Sequence, residues 1–333
     1  MTDFAHVPVL LNEAVDALKI KPNGVYVDCT LGGGGHSAEI CARLAGDLSG
    51  RVIGIDRDEN AIEAASARIK SKNFFAVHGN FHDLKTILRE CGPERADGIL
   101  MDLGVSSHQI DTAERGFSFR ADGPLDMRMA AKPLSAEGAS RKAIHSLEDG
   151  RVCEFFTARD IVNNFSEAEL AKIFFEFGEE RFSRRIAKKI CVAREISPIE
   201  TTLALAKIIE AAVPQKRGAK QPHPAMRTFM ALRIAVNDEL TPLDAAVRDA
   251  VDMLAVGGRI AVITFHSLED RIVKQNFAKL ASPCECPRDI PYCACGKIPS
   301  LRVVTRKPVL PSPEEISHNS RAHSAKLRVG ERI

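Results

Sequence analysis

Four adjacent glycines wedged between a strand and a helix restrict this chain more than any other feature. In Val25-Tyr-Val-Asp-Cys-Thr-Leu-Gly-Gly-Gly-Gly-His-Ser37, Val25 and Val27 alternate as a buried strand does, Asp28 closes the strand, and Ser37 opens a helical pattern through Ile40, Cys41 and Leu44. Such a glycine run carries a large conformational entropy cost, so a fold that keeps it uses it. Without Cβ atoms the backbone can approach a ligand closely, and the helix start adds unpaired N–H groups. Roughly 20 residues on, a second apolar strand, Val52 to Ile55, ends in Asp56, where an acidic side chain accepts hydrogen bonds from a ribose. The spacing predicts an adenosine-containing ligand.

Two ligands compete for that bend. Gly33-x-Gly35-x-x-Ala38 satisfies the dinucleotide fingerprint, which keeps a nicotinamide cofactor and an oxidoreductase in play. Asp28, set before the glycines, argues instead for S-adenosylmethionine: a carboxylate there can reach the ammonium or organise the loop, but would repel a pyrophosphate.

The rest of the first hundred residues repeats the same alternation. Val9 to Ile20 reads as a helix, as does the segment carrying Ile62, Ala65 and Ile69 and the one from Leu84 to Cys91; Phe74 to Val77 and Gly98 to Met101 read as strands three and four. Strands alternating with helices predict an α/β fold with a doubly wound, mostly parallel, Rossmann-like sheet. The next convincing strand, Arg259 to Phe265, lies more than 150 residues further on, far beyond an ordinary crossover. An inserted α-helical domain between strands four and five is therefore expected, with helices at Leu170 to Phe177, Arg181 to Arg194 and Thr201 to Val213, the first opened by a Ser166-x-x-Glu169 capping box. The breaker-rich Lys216 to Pro224 gives a natural return point. The expected boundaries are 1–109 with 220–333 for the first domain and 110–219 for the insert, with Ala225 to Leu240 and Leu243 to Leu254 packing back on the sheet. Leu301 to Thr305 and Ala325 to Val329 are the last strand candidates.

Charge is segregated although the net value is only +2: Arg181 to Arg233 holds 12 Lys/Arg against 3 Asp/Glu, and Lys297 to Ile333 holds 8 against 3. A basic surface on an otherwise acidic body suits a phosphate backbone, and Arg184, Arg185, Lys188, Lys189 and Arg227 are the candidate RNA contacts. A non-catalytic RNA-binding assembly factor would explain this charge, but not the glycines. No apolar run reaches a membrane span and Met1 to Ile20 carries Asp3, Glu13 and Asp16, so a cytoplasmic protein without a membrane partner is expected. Nine cysteines, an odd number, fit reduced thiols. Cys284-x-Cys286 and Cys293-x-Cys295 form a four-thiol group that suits a structural zinc, but its spacing departs from the usual zinc knuckle and a metal-free loop is the alternative; the expected chemistry needs no metal.

Asp102 closes strand four, the edge on which open α/β sheets bind ligands, and is the first candidate to face both cofactor and substrate, with Ser106 and Gln109 in the following loop. Phe81, in the turn after strand three, either stacks on an adenine or is plain core. Arg115 to Arg128 mixes Gly, Pro, Phe and Arg as a lid would. His266 follows strand five, where a histidine either touches substrate or satisfies a loop.

His6-Val-Pro-Val-Leu-Leu11, Asp28 to Ser37, Gly54-Ile-Asp-Arg-Asp58, Asp102-Leu-Gly-Val-Ser-Ser107, Glu114-Arg-Gly-Phe-Ser-Phe119, Gly123 to Met129, Gly178-Glu-Glu-Arg-Phe182, Ser267-Leu-Glu-Asp-Arg271 and Ser324 to Arg328 together resemble the ribosomal RNA small subunit methyltransferase H family over essentially the whole chain. The resemblance implies a class I S-adenosylmethionine-dependent methyltransferase with a helical insert. It implies methylation of N4 of a cytidine in the decoding region of 16S rRNA, with the small ribosomal subunit as partner and a homodimer left open. It also implies cofactor contacts at Gly34, Gly35, His36, Asp56, Phe81, Asp102 and Gln109, with Asp102 and Ser106 the catalytic candidates. Two departures from the wider methyltransferase pattern stand out: Thr30 replaces the first glycine of D-x-G-x-G-x-G, and Asp102-Leu-Gly replaces the (Asp/Asn)-Pro-Pro-aromatic signature of many amino-methylating DNA enzymes.

Overall fold

The computed structural model describes residues 8–44, 49–130, 156–214, 223–287, 292 and 294–333. In chain order α1 (Leu11–Ala17) precedes β1 (Val25–Asp28), α2 (Gly35–Arg43), β2 (Arg51–Asp56), α3 (Glu59–Arg68), β3 (Phe74–His78), α4 (Leu84–Cys91) and β4 (Ala96–Asp102). Among the described residues six helices then follow without a strand: α5 (Ser107–Asp111), α6 (Ala158–Asn164), α7 (Glu167–Glu176), α8 (Ser183–Ile196), α9 (Thr202–Ala212) and α10 (Ala225–Asn237). The alternation resumes with α11 (Leu243–Met253), β5 (Leu254–Thr264), α12 (Ser267–Ala281), β6 (Leu301–Val303), α13 (Pro313–His318) and β7 (Lys326–Arg332). Contacts divide the chain into two compact units, residues 1–104 with 240–333, and residues 105–239.

The first unit is built on a seven-stranded sheet of order β3-β2-β1-β4-β5-β7-β6. Strands β1 to β5 run parallel, and β7 enters antiparallel to both β5 and β6. Side chains alternate across it as the pleat requires. Val27, Ile53, Ile55, Ile99, Met101, Ile260 and Val262 share one core with Leu84, Leu88, Val247, Val251 and Val273 from the helices. Tyr26, Val52, Leu100, Ala261, Ile263, Leu327 and Val329 share the other with Val15, Leu18, Ile40 and Leu44. Both faces are thus covered, which is why these strands read as nearly continuous apolar runs. Strand β5 begins earlier than Arg259: it takes in Gly257 at φ 80° and shifts register between the partners of Ala96 and Gly98, a bulge that glycine permits.

The second unit is helical. Its core holds Ile161, Phe165, Leu170, Phe174, Ile186, Ile190, Leu205, Ile209, Phe229 and Leu232. Ser166 closes a full capping box with Glu169, so α7 starts where the sequence says it should, and Thr157 does the same with Asp160 at the start of α6. Helix α10 differs from expectation: Ala225, Phe229, Ala231 and Leu232 pack in this helical core rather than on the sheet, so the chain returns to the sheet unit near residue 240, later than the expected 220. The segment read as a lid is also part of this core. Leu125 and Met127 are buried, Leu125 N–H donates to Glu200 O, and Asn237 grips the backbone of Met127 and Met129 at 2.7 and 2.8 Å. The segment is thus a strap tied to the helical core.

Candidate active site

The glycine bend is held by its neighbours before any ligand arrives. Where β1 ends, Cys29 N–H donates to Leu100 O of β4 and Leu31 N–H to Ile55 O of β2, so the bend starts from a fixed point between two strands. Asp28, 1% exposed, lies beneath it: Oδ1 accepts Thr30 N–H at 3.2 Å and Oδ2 accepts the Ser37 hydroxyl at 2.7 Å. Burial pushes its carboxyl above the usual range, against the pull of Ser37 and Thr30. This aspartate organises the loop from within. Gly34 takes φ 71° as the cap of α2, and a Cβ there would come within 2.9 Å of Ala65 Cβ; one on Gly35 would fall 2.1 Å from Pro8 Cγ. Glycine is needed at both, by backbone angle and close packing at the first and by packing at the second.

Asp56 secures the outer side of the bend. Its Oδ2 accepts Gly32 N–H at 2.8 Å and its Oδ1 accepts Asp58 N–H at 2.9 Å. Burial raises its pKa while those two donors oppose the rise. Each oxygen keeps a further lone pair, the acceptor capacity that a ribose diol requires.

Asp102 faces the inner side. Its N–H donates to Thr30 Oγ1 at 2.6 Å, so the residue that replaces a glycine in the motif ties the end of β1 to the end of β4. Although 24% of the Asp102 side chain is exposed, Oδ1 is fully covered and has no hydrogen-bond partner. Burial, then the charges of Asp28 and Glu269, push this carboxyl well above the ordinary carboxylate range. Oδ2 lies 3.7 Å from His36 Nδ1. His36 is itself buried and its pKa is lowered to about 4 by that burial, with Nε2 3.2 Å from Val9 O. A carbonyl can only accept, so Nε2 carries the proton and Nδ1 turns a lone pair toward Asp102.

Of the expected cofactor residues, Gly34, Gly35, His36, Asp56 and Asp102 thus meet at the carboxyl ends of β1, β2 and β4. Phe81 opens the turn after β3 and is partly buried against the sheet core, its ring edge-on to His82. Ser106 and Gln109 lie in the helical unit, where each accepts the other's N–H in a capping box that starts α5. Arg184, Arg185, Lys188 and Lys189 are all exposed on α8, opposite buried Ile186, Ala187 and Ile190; none forms an ion pair among the described residues. Arg227 is exposed on α10 and donates to Glu179 O at 3.1 Å. Arg233 is paired with Glu239 at 2.8 Å. His266 caps α12 in a box with Glu269, its Nδ1 accepting the Glu269 N–H, and its buried Nε2 lies 3.0 Å from Glu269 Oε1. Cys293 lies outside the described residues.

Sequence reasoning passed over Glu269 and Ser37. The first was legible as His266-x-x-Glu269, a capping-box spacing with histidine in place of serine; the second as a hydroxyl one helical turn beyond the bend and able to reach back to Asp28.

The site fits an adenosine-type cofactor on its own terms. The N–H groups of Gly33, Gly35 and His36 have no backbone acceptor among the described residues, Asp56 has acceptor capacity to spare, and a covered carboxylate oxygen waits beside them. Together with five parallel strands and a reversed seventh, this is the class I S-adenosylmethionine-dependent methyltransferase fold. The particular family follows from the sequence: the MraW methylase family matches residues 3–148 and 149–333, and the chain belongs to it. It is 49% identical over 332 residues to ribosomal RNA small subunit methyltransferase H of Clostridium botulinum (strain Loch Maree / Type A3), covering 99% of this chain and 100% of that relative. Identity to the enzyme of the same name from Carboxydothermus hydrogenoformans is 48% over 333 residues, 99% of each chain. Among solved structures, an rRNA methylase from Streptococcus thermophilus aligns over 99% of both chains at 11% identity and a TM-score of 0.39.

Proposed function

We propose that this enzyme transfers the methyl group of S-adenosylmethionine to the exocyclic N4 of a cytidine in the decoding region of 16S rRNA, within the small ribosomal subunit. The observation that carries the reading is Asp102: a carboxylate with a covered, unpaired oxygen at the end of β4, beside the glycine bend. Family membership and the names of its full-length relatives support the rRNA substrate.

When bound, the cofactor supplies an electrophilic sulfonium methyl; what remains is for the chain to do. Asp56 holds the ribose hydroxyls, and the N–H groups of Gly33, Gly35 and His36 are available to its polar end. The cytidine would be turned out of its stack to bring N4 to Asp102. That amine is a weak nucleophile, since its lone pair is delocalised into the ring. Asp102 accepts a hydrogen bond from an N4–H, returning electron density to nitrogen, and then takes the proton. A raised pKa suits this role because it makes the carboxylate a stronger base. The cost falls at low pH: the acceptor is lost as pH drops through a pKa higher than that of an ordinary aspartate. His36, uncharged at neutral pH, adds no cation that would lower it. The α8 cations and Arg227 contact the RNA backbone.

The test is transfer of labelled methyl from S-adenosylmethionine to small ribosomal subunits lacking the modification, followed by digestion to nucleosides. Label in N4-methylcytidine from the decoding region supports the assignment; label on another atom, or in another region, overturns it.

A further inference from the structure

Between α12 and β6 the chain forms a segment, residues 282–300, that the methyl-transfer chemistry leaves unused. None of its described residues is in a helix or strand and none is buried; Tyr292 and Ile298 are 85% and 84% exposed. Without a core of its own, such a segment needs another kind of tie. Its described residues nonetheless bring the thiols of Cys284, Cys286 and Cys295 within 4.8 Å of one another, across a gap of nine positions between the last two. Ala294 N–H donates to Cys286 Sγ at 3.3 Å, the contact a thiolate accepts, and Gly296 turns the chain at φ 63° directly after Cys295. Lys297, two residues beyond Cys295, is ion-paired with Glu285 at 2.5 Å, a further tie within the segment.

We propose that Cys284, Cys286 and Cys295 bind a zinc ion that staples this segment. Tetrahedral zinc with Zn–S bonds of about 2.3 Å sets sulfurs about 3.8 Å apart, so closure asks for at most about 1 Å of movement. Three thiolates select a soft or borderline metal over magnesium or calcium, and Cys284 is exposed enough to admit it. Binding releases the thiol protons as each sulfur becomes a ligand. The site holds structure and takes no part in methyl transfer.

The test uses the full chain, reduced, dialysed against zinc and then freed of loose metal. Elemental analysis should return about one zinc per chain, and Cobalt(II) substitution should give intense thiolate-to-metal charge-transfer absorption with tetrahedral d–d bands. C284S and C295S should lose both signals, while C41S and C191S keep them. Proteolysis within 282–300 should quicken when a chelator removes the metal. Should the serine variants fold poorly, the unaltered chain still decides: zinc must protect three thiols from a thiol reagent, and chelation must release them. Absence of bound zinc in the reduced chain, zinc retained by a C284S/C295S double variant, or a disulfide among these cysteines in place of metal would overturn the proposal.

Discussion

The two units use polar side chains in opposite ways. In the sheet unit Asp28, Asp56 and Asp102 sit at strand ends and burial raises the pKa of each; backbone N–H groups of the bend hold the carboxylates of Asp28 and Asp56, while Asp102 is tied through its own N–H to the Thr30 hydroxyl. In the helical unit buried polar groups such as Gln109 and Asn237 serve caps and straps, while the cations of α8 are left to solvent. A covered carboxylate can act on one proton of one atom, because low dielectric strengthens each interaction it makes. An exposed row of lysines and arginines acts on a charge density and tolerates changes of position. Under the proposed function chemistry and recognition fall to different units, and substitutions should separate them.

The largest effect is expected at Gly34. Gly34→Val would force a β-branched residue to φ 71° and drive its Cβ against Ala65, destabilising the sheet unit by about 3 kcal/mol and abolishing S-adenosylmethionine binding; denaturant unfolding and calorimetry read the two losses. Next is removal of the four α8 charges, Arg184, Arg185, Lys188 and Lys189 to Gln. RNA affinity should fall by roughly 10²-fold at low salt and the slope of log K against log salt by about 3, with cofactor binding unchanged. An unaltered slope would break the division between the units. Ser166→Ala should cost about 1 kcal/mol by removing the cap of α7, and amide exchange should quicken in the helical unit alone. The smallest effect tests the sign of the electrostatics. Glu269 raises the pKa of Asp102, so Glu269→Gln should move the acidic limb of the kcat profile to lower pH without removing it. A limb that stays put or moves up would mean that another group titrates.

How much of this was legible depended on whether a signal was local. The strands were: runs such as Val52 to Ile55 and Gly98 to Met101 are apolar because both sheet faces are covered, and each ends at an aspartate. Ser166 announced α7 through a capping box. Helix α12 was hidden because its cap is His266, and its first turn reads as a loop following strand five. Helix α10 was misplaced because an amphipathic pattern shows which face is apolar and not which core receives it. The strap around Met127 reads as a lid in the sequence because its anchor, Asn237, is more than a hundred residues away. In the site, the glycines and the three aspartates could be named from spacing alone. Thr30 looked like a lapse in the motif, yet its hydroxyl accepts the Asp102 N–H, a bond between strands that only the folded chain brings together.

The account rests on Asp102 acting on the amine of the substrate rather than on the fold or the cofactor. The direct test is Asp102→Asn, with cofactor affinity and the single-turnover rate of methyl transfer to small ribosomal subunits measured on the same preparation. The side chain keeps its shape and loses its basicity, so the rate should drop by roughly 10³-fold while cofactor affinity changes by only a few fold. A rate near that of the unaltered enzyme at equal cofactor occupancy would contradict the assignment.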